Sequence, residues 1–136
     1  MGQRLCLPDR PELVTDTLKR ALVAVEAALE KKAYDLVVLQ VGHLSSIADY
    51  FIIATGRSDV QVQAIARGIA ERMKREGEHP IAIEGLTHGH WVVLDYTDIV
   101  IHVFFEPVRE FYRLERNWTD ARTVDLPDSF RSQASL

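Results

Sequence analysis

The chain has 136 residues, of which 47% are apolar, and its formal net charge at pH 7 is −4. This length supports one hydrophobic core, so we predict a single domain. The negative charge argues against direct, sequence-specific binding to nucleic acid, because such binding depends on lysine and arginine displacing counterions from phosphates. A basic protein is the more suitable kind of partner.

The compartment is predicted from cysteine usage and from the lengths of the apolar segments. Cys6 is the single cysteine, so no disulfide forms within the chain, and no apolar run typical of a signal peptide precedes it. The apolar stretches, such as Ile99–Phe105, are far shorter than the roughly 20 residues that span a bilayer. We therefore expect a cytoplasmic protein without a membrane segment.

The chain begins with a segment that lacks periodicity and continues into an amphipathic helix. Residues 1–11 contain Gly2, Pro8 and Pro11, which predict a flexible leader. Residues 12–32 have apolar side chains three or four apart, the spacing of one helix face. These apolar residues are Leu18, Leu22, Val25 and Leu29.

Two short, β-branched segments follow, at residues 35–41 and 50–55, and both are typical of central strands covered on both faces. Ser58 or Asp59 is predicted to cap the helix that comes next. That helix should end at Gly77, where the missing Cβ permits a left-handed conformation.

Three further strands are predicted, at residues 80–84, 91–95 and 98–105. Tyr96 and Thr97 leave room for a tight hairpin between the last two, which makes that part of the sheet antiparallel. Residues from 106 to about 118 return to helical spacing. The prediction is an α/β fold with a mixed, roughly five-stranded sheet flanked by helices, occupying residues 12–122, with a mobile tail at 123–136.

No complete catalytic or metal-binding group is evident in the sequence. His88 and His90 lack the further ligands that a zinc site needs, so no metal is expected. An alternative is a nucleotidyltransferase or nucleotide-binding enzyme that uses Ser58 on a strand-to-helix turn with Asp49 and Asp98. The absence of an Asp-x-Asp pair after that turn argues against this alternative.

Trp91 is the candidate for a binding residue. On an alternating strand Trp91, Val93 and Asp95 point to one face, and the other face takes Val92, Leu94 and Tyr96. One of the two faces must belong to the core. Large aromatic residues are frequent at binding hot spots, but tryptophan is equally common in cores, so alternation leaves both roles open for Trp91.

Several segments, in one unbroken order across residues 12–122, resemble the Iojap, or RsfS, ribosomal silencing factors. The segments that carry the resemblance are residues 44–51 (LSSIADYF), 54–58 (ATGRS), 84–85 (EG), 89–96 (GHWVVLDY), 98–104 (DIVIHVF) and 111–115 (FYRLE), with Trp118. Two departures are Thr97, where the family usually has glycine, and the segment beyond Ala121.

The resemblance implies a nucleotidyltransferase-like fold without catalysis or cofactor. It also implies a protein that binds large-subunit ribosomal protein fourteen, blocks subunit association and so represses translation. Family members often form homodimers away from the ribosome. The partner-binding residues implied by the match are Glu84, Trp91, Val93, Asp95 and Tyr96. A dimeric scaffold unrelated to ribosomes remains a further alternative.

Overall fold

The computed structural model describes residues 16–42, 48–112, 122–124 and 126, except for the side chains of residues 111, 112 and 122. The predicted leader, the segment 43–47, the end of the last predicted helix and most of the tail lie outside the described residues. The elements in chain order are α1 (Asp16–Glu30), β1 (Tyr34–Gln40), β2 (Tyr50–Gly56), α2 (Asp59–Arg75), β3 (Ala82–Glu84), β4 (Trp91–Asp95), β5 (Ile99–Phe105), α3 (Glu106–Tyr112) and β6 (Arg122–Thr123).

One mixed sheet organises the described part of the chain, with strand order β3-β4-β5-β2-β1-β6. The pair of β2 and β5 is parallel, and all the other pairs are antiparallel. The predicted α/β class and the five strands are confirmed. The sixth strand, β6, consists of two residues and pairs with β1.

The predicted caps of α2 are present. Ser58 adopts an extended backbone, and its side-chain oxygen accepts a hydrogen bond from Gln61 N at 3.1 Å. This bond satisfies one of the backbone donors that lack a partner at the start of a helix. At the other end Gly77 has φ of +85°, a conformation that glycine adopts without strain.

The sheet has two unlike faces. The first, which we call the helix face, packs against α1 and α2 with aliphatic side chains such as Ile52, Ile101 and Leu94. The second, which we call the α3 face, carries Phe51, Ile53, Val100 and Phe104, and Val108 of α3 packs against it. Because α3 contacts β5 and β2, the two central strands, it covers the middle of the sheet.

The prediction that both early strands are buried on two faces is correct for β2 and wrong for β1. Every residue of β2 is buried, whereas Asp35 is exposed and Leu36 and Val37 are half-buried. β1 lies toward the edge of the sheet, beside the two-residue β6. Its pairing is also irregular, since the register shifts between Tyr34 and Val37.

Arg109 ties α3 to the sheet. Its guanidinium is buried and donates hydrogen bonds to the carbonyl oxygen of Asp35 and to the hydroxyl of Thr55. A buried guanidinium is stable only where its donors have acceptors. These bonds therefore fix where α3 sits on the α3 face.

The chain beyond residue 122 remains attached to the domain at its described residues. Thr123 pairs with Leu39 in the sheet, and Val124 N donates to Val38 O at 2.8 Å. The side chains of Val124 and Leu126 pack against the core of the helix face. The first part of the predicted mobile tail is thus held by the sheet at these positions.

Candidate partner-binding surface

Four of the five predicted partner-binding residues lie together on the α3 face. Trp91, Val93 and Asp95 alternate along β4 and are half-buried. Glu84 on β3 pairs with Val93, so the exposed carboxylate lies on the same face beside it. We call these four residues the β4 surface.

Tyr96 is separated from the other four. Its side chain is 5% exposed and packs in the core of the helix face with Val92 and Leu94. Burial raises the pKa of its hydroxyl to about 12, with a smaller contribution from Glu78. Tyr96 therefore does not lie on one surface with the other four predicted residues, because alternation along the strand turns it to the opposite face.

The turn of the hairpin differs by one residue from the prediction. Tyr96 N donates to Ile99 O at 2.8 Å, so Tyr96 stays in the ladder and the turn residues are Thr97 and Asp98. Asp98 N donates to Tyr96 O at 2.9 Å across Thr97, whose φ is +77°. This combination matches the γ-turn that is rare for residues with a side chain.

Trp91 is held by two aromatic neighbours on β5. Its indole stacks on the ring of Phe104 with the centroids 4.9 Å apart, and its Nε1 donates a hydrogen bond to His102 Nδ1 at 3.1 Å. His102 lies within β5 and is buried. Its bond to Trp91 was not predicted, since it depends on the register of the hairpin.

The loop that leads into Trp91 is fixed by α2, another feature that the sequence did not reveal. The side-chain amide of Gln63 donates to the carbonyl oxygens of Leu86 and Thr87, both at 2.9 Å. Gly85 has φ of +84°, and a Cβ there would lie 2.1 Å from the carbonyl oxygen of Trp91. The start of β4 is therefore built around a position that only glycine fits.

The β4 surface carries negative charge beside its apolar groups. Glu84 is exposed, and Asp95 is half-buried. One oxygen of the Asp95 carboxylate accepts a hydrogen bond from Thr97 N at 2.8 Å. Asp95 therefore stabilises the hairpin turn and also adds a charge to the surface.

The turn at residues 56–58 does not offer the anion site that a nucleotidyltransferase would need. Ser58 Oγ accepts from Gln61 N, Asp59 Oδ1 accepts from Val60 N at 2.8 Å, and Gln61 Oε1 accepts from Arg57 N at 2.6 Å. These three backbone donors are used within the turn itself. The Asp59 carboxylate at the helix start would also repel a phosphate.

The three residues of the enzymatic alternative lie at opposite ends of the sheet. Asp49 precedes β2 and Ser58 follows it, so the seven residues of the strand separate them by roughly 20 Å. Asp98 lies at the Asp49 end, where its carbonyl oxygen accepts from Asp49 N and its carboxylate pairs with Arg20. The structure therefore does not bring the strand-to-helix turn at Ser58 together with the two carboxylates.

The predicted histidine pair also forms no recognisable centre. The rings of His88 and His90 are 6.3 Å apart, and His90 stacks near Phe105. Among the described residues, no three His, Cys, Asp or Glu side chains are grouped as metal ligands. No helix among the described residues has the length and apolar character to cross a membrane.

The fold and the β4 surface define a small α/β domain that presents an aromatic, acidic patch on the less covered face of its sheet. The comparisons with known proteins identify its family. Residues 14–135 match the family model described as "Ribosomal silencing factor during starvation". The chain belongs to the ribosomal silencing factor family, which implies a ribosome-associated role related to translation.

Curated relatives agree with the family model. The chain is 41% identical over 104 residues to the ribosomal silencing factor RsfS of Bacillus subtilis, covering 76% of this chain and 88% of that protein. It is 41% identical over 118 residues to RsfS of Zymomonas mobilis, covering 87% of this chain and 81% of that protein. It is also 36% identical over 121 residues to the chloroplastic protein Iojap of Arabidopsis thaliana, covering 87% of this chain and 49% of that protein.

Solved structures support the same fold. A crystal structure of a protein from Chromobacterium violaceum has a TM-score of 0.75 and 33% identity, and covers 76% of this chain and 87% of that one. A crystal structure from Bacillus halodurans has a TM-score of 0.72 and 36% identity, and covers 79% and 98%. The resemblance seen in the sequence is therefore confirmed.

Proposed function

We propose that this protein binds the large ribosomal subunit through large-subunit ribosomal protein fourteen and sterically blocks subunit association. Translation is thereby repressed without catalysis, and the place of action is the cytoplasm. The observation that carries this proposal is the β4 surface, where a half-buried tryptophan, an aliphatic residue and two carboxylates share one face of a family member's sheet.

The chemistry of the surface suits a basic protein partner. Tryptophan supplies a large apolar contact, and hot spots of binding energy are enriched in this residue. The carboxylates of Glu84 and Asp95 flank the apolar part and give electrostatic complementarity to a positively charged surface. The net charge of −4 acts in the same direction at longer range.

The test is sucrose-gradient sedimentation of the purified protein with separated ribosomal subunits. We expect the wild type to travel with the large subunit and to reduce the amount of joined ribosomes. Trp91→Ala should weaken binding by roughly 30-fold, because the loss of a hot-spot side chain costs about 2 kcal/mol. If the wild type stays at the top of the gradient, the proposal is wrong.

A matched control lies on the neighbouring strand. Ile83 is 40% exposed and pairs with Leu94, so its side chain leaves the sheet on the opposite side from Trp91. Ile83→Ala removes an exposed apolar group close to the surface but not part of it. We expect this variant to sediment with the large subunit as the wild type does.

The identity of the partner requires a separate measurement. A photo-crosslinking residue at position 84 should form its main adduct with ribosomal protein fourteen, because Glu84 is exposed on the β4 surface. The same residue at position 71, which is exposed on α2, is the control. Binding to the large subunit with adducts to other proteins alone would retain the silencing role and reject this partner.

Self-association away from the ribosome is also part of the proposal. In the described part of the chain β3 pairs with β4 alone, and Ile81 and Ile83 are 70% and 40% exposed. Exposed edge strands with apolar side chains favour pairing between copies. Analytical ultracentrifugation of the wild type should detect a dimer, and Ile83→Lys should shift it toward the monomer; a monomeric wild type would reject the dimer.

A further inference from the structure

Trp91 and His102 form a pair across the hairpin of β4 and β5. In the sheet register Trp91 pairs with Phe104 and His102 pairs with Val93, so the two side chains are diagonal neighbours on the α3 face. The distance from Trp91 Nε1 to His102 Nδ1 is 3.1 Å, which is within hydrogen-bond range. Because an indole N–H is a donor alone, His102 Nδ1 must be the acceptor.

The imidazole is held firmly and is neutral. It is buried, meets the ring of Phe51 edge-on with the centroids 5.4 Å apart, and lies 6.2 Å from the ring of Phe104. Burial lowers the pKa of His102 to about 4, so at cellular pH the ring carries no charge. With Nδ1 accepting, the ring proton resides on Nε2.

These contacts restrict the indole of Trp91 in two ways. Stacking on Phe104 sets the plane of the ring, and the bond to His102 sets its rotation within that plane. The indole donor is then directed into the protein. What a half-buried Trp91 can present to a partner is the carbon surface of the ring.

We propose that His102 is a positioning residue for partner binding. It fixes the Trp91 indole before the partner arrives and accepts the hydrogen bond of the indole N–H. The partner then contacts only the carbon surface of the Trp91 ring. This inference rests on the proposed function of the β4 surface. Fixing a binding side chain in advance reduces the entropy lost on association, which is how His102 would strengthen binding without touching the partner.

A purely space-filling role for His102 makes a different prediction. His102 Nε2 is buried and has no protein hydrogen-bond partner in the described part of the chain. A phenylalanine would fill similar space without burying this polar atom. If filling space were the whole role, a phenylalanine at position 102 would serve the protein at least as well.

Two substitutions separate the acceptor from the ring. His102→Phe keeps an aromatic ring and removes the acceptor, whereas His102→Asn removes the ring and keeps an oxygen near the position of Nδ1. Each is made in a Trp118→Phe background, which leaves Trp91 as the single tryptophan of the two in the chain. Circular dichroism establishes that each variant is folded.

The first readout is the indole N–H of Trp91 in the free protein, observed by nuclear magnetic resonance with 15N-labelled tryptophan. We expect exchange with water to be slow in the parent and in His102→Asn, and about fivefold faster or more in His102→Phe, since a lost hydrogen bond is worth about 1 kcal/mol. Equal exchange in the parent and in His102→Phe would overturn the inference.

The second readout is affinity for the large ribosomal subunit. We expect His102→Phe to bind about fivefold more weakly than the parent and His102→Asn to bind nearly as well. The inference is overturned if His102→Phe binds like the parent or if His102→Asn is the weaker of the two. In those cases the proposed function still stands, provided that Trp91→Ala loses binding; a parent that fails to bind the subunit rejects the proposed function itself.

Discussion

The two faces of β4 differ in what covers them, although they alternate residue by residue along one strand. Val92 and Leu94 are fully buried in the core of the helix face, where α2 packs against β4, whereas Trp91 and Val93 remain half-buried. α3 contacts β5 and β2 and leaves the outer strands less covered. Unequal cover therefore lets one five-residue strand contribute to the core on one face and leave the other face open for the proposed binding.

The largest expected effect comes from the helix face. Leu94→Ala should lower the free energy of unfolding by about 3 kcal/mol, because it leaves a cavity in a core that is otherwise close-packed. Urea denaturation followed by circular dichroism measures this loss. Since the β4 surface is unchanged, the folded fraction of Leu94→Ala should still bind the large subunit.

On the α3 face, Trp91→Ala should have the opposite effects to Leu94→Ala. It should lose large-subunit binding while remaining folded, because its half-buried side chain gives up less buried area than a core residue of that size. The contrast between the faces would be wrong if Leu94→Ala abolished binding in its folded fraction, or if Trp91→Ala failed to fold.

The next effect is the dependence of stability on pH, which comes from His102 on the α3 face. Burial lowers the pKa of His102 to about 4 in the folded protein, from 6.5 for an exposed histidine. Between these values the unfolded chain binds a proton that the folded chain does not. The contribution of His102 to the free energy of unfolding is therefore fully present above pH 6.5, and it decreases as the pH falls toward 4.

We expect the free energy of unfolding to fall by about 2 kcal/mol more in the wild type than in His102→Asn between pH 7.5 and pH 5. Denaturation of both proteins at the two pH values measures the difference and cancels the contributions of other groups. The side chains shown against His102 are Trp91, Phe51 and Phe104, none of which is charged. Identical pH dependence in the two proteins would mean that His102 is not buried in the neutral form.

Much of this arrangement could be predicted from local patterns. Alternation along residues 91–96 predicted correctly which side chains share a face, and capping preference narrowed the N-cap of α2 to Ser58 or Asp59, of which Ser58 is the cap. These features are determined by neighbouring residues. Tyr96 was grouped with the other four residues through the family resemblance, although alternation had already assigned it to the opposite face.

Other features could not be predicted because they depend on contacts between distant parts of the chain. The parallel pairing of β2 with β5 joins segments about 50 residues apart. The burial of Arg109 requires acceptors on β1 and β2, and the bond from Trp91 to His102 requires the register of β4 and β5. A single sequence contains no local signal for any of these.

The smallest expected effect lies at the turn that joins β4 to β5. Thr97 has φ of +77°, which is unfavourable for a β-branched residue and permitted for glycine. Thr97→Gly should raise the free energy of unfolding by about 0.5 kcal/mol, because the relief of this strain exceeds the greater flexibility that glycine gives the unfolded chain. Thermal denaturation detects a change of this size as a small rise in Tm.

The control for Thr97→Gly is the reverse change at a neighbouring loop. Gly85→Ala should lose stability by about 2 kcal/mol or more, because its Cβ would lie 2.1 Å from the carbonyl oxygen of Trp91 at a φ of +84°. Thr97→Gly should leave large-subunit binding intact, since Thr97 N would still donate to Asp95. A loss of binding would show that the Thr97 side chain itself belongs to the partner-binding surface, and the boundary of the β4 surface would then extend into the turn.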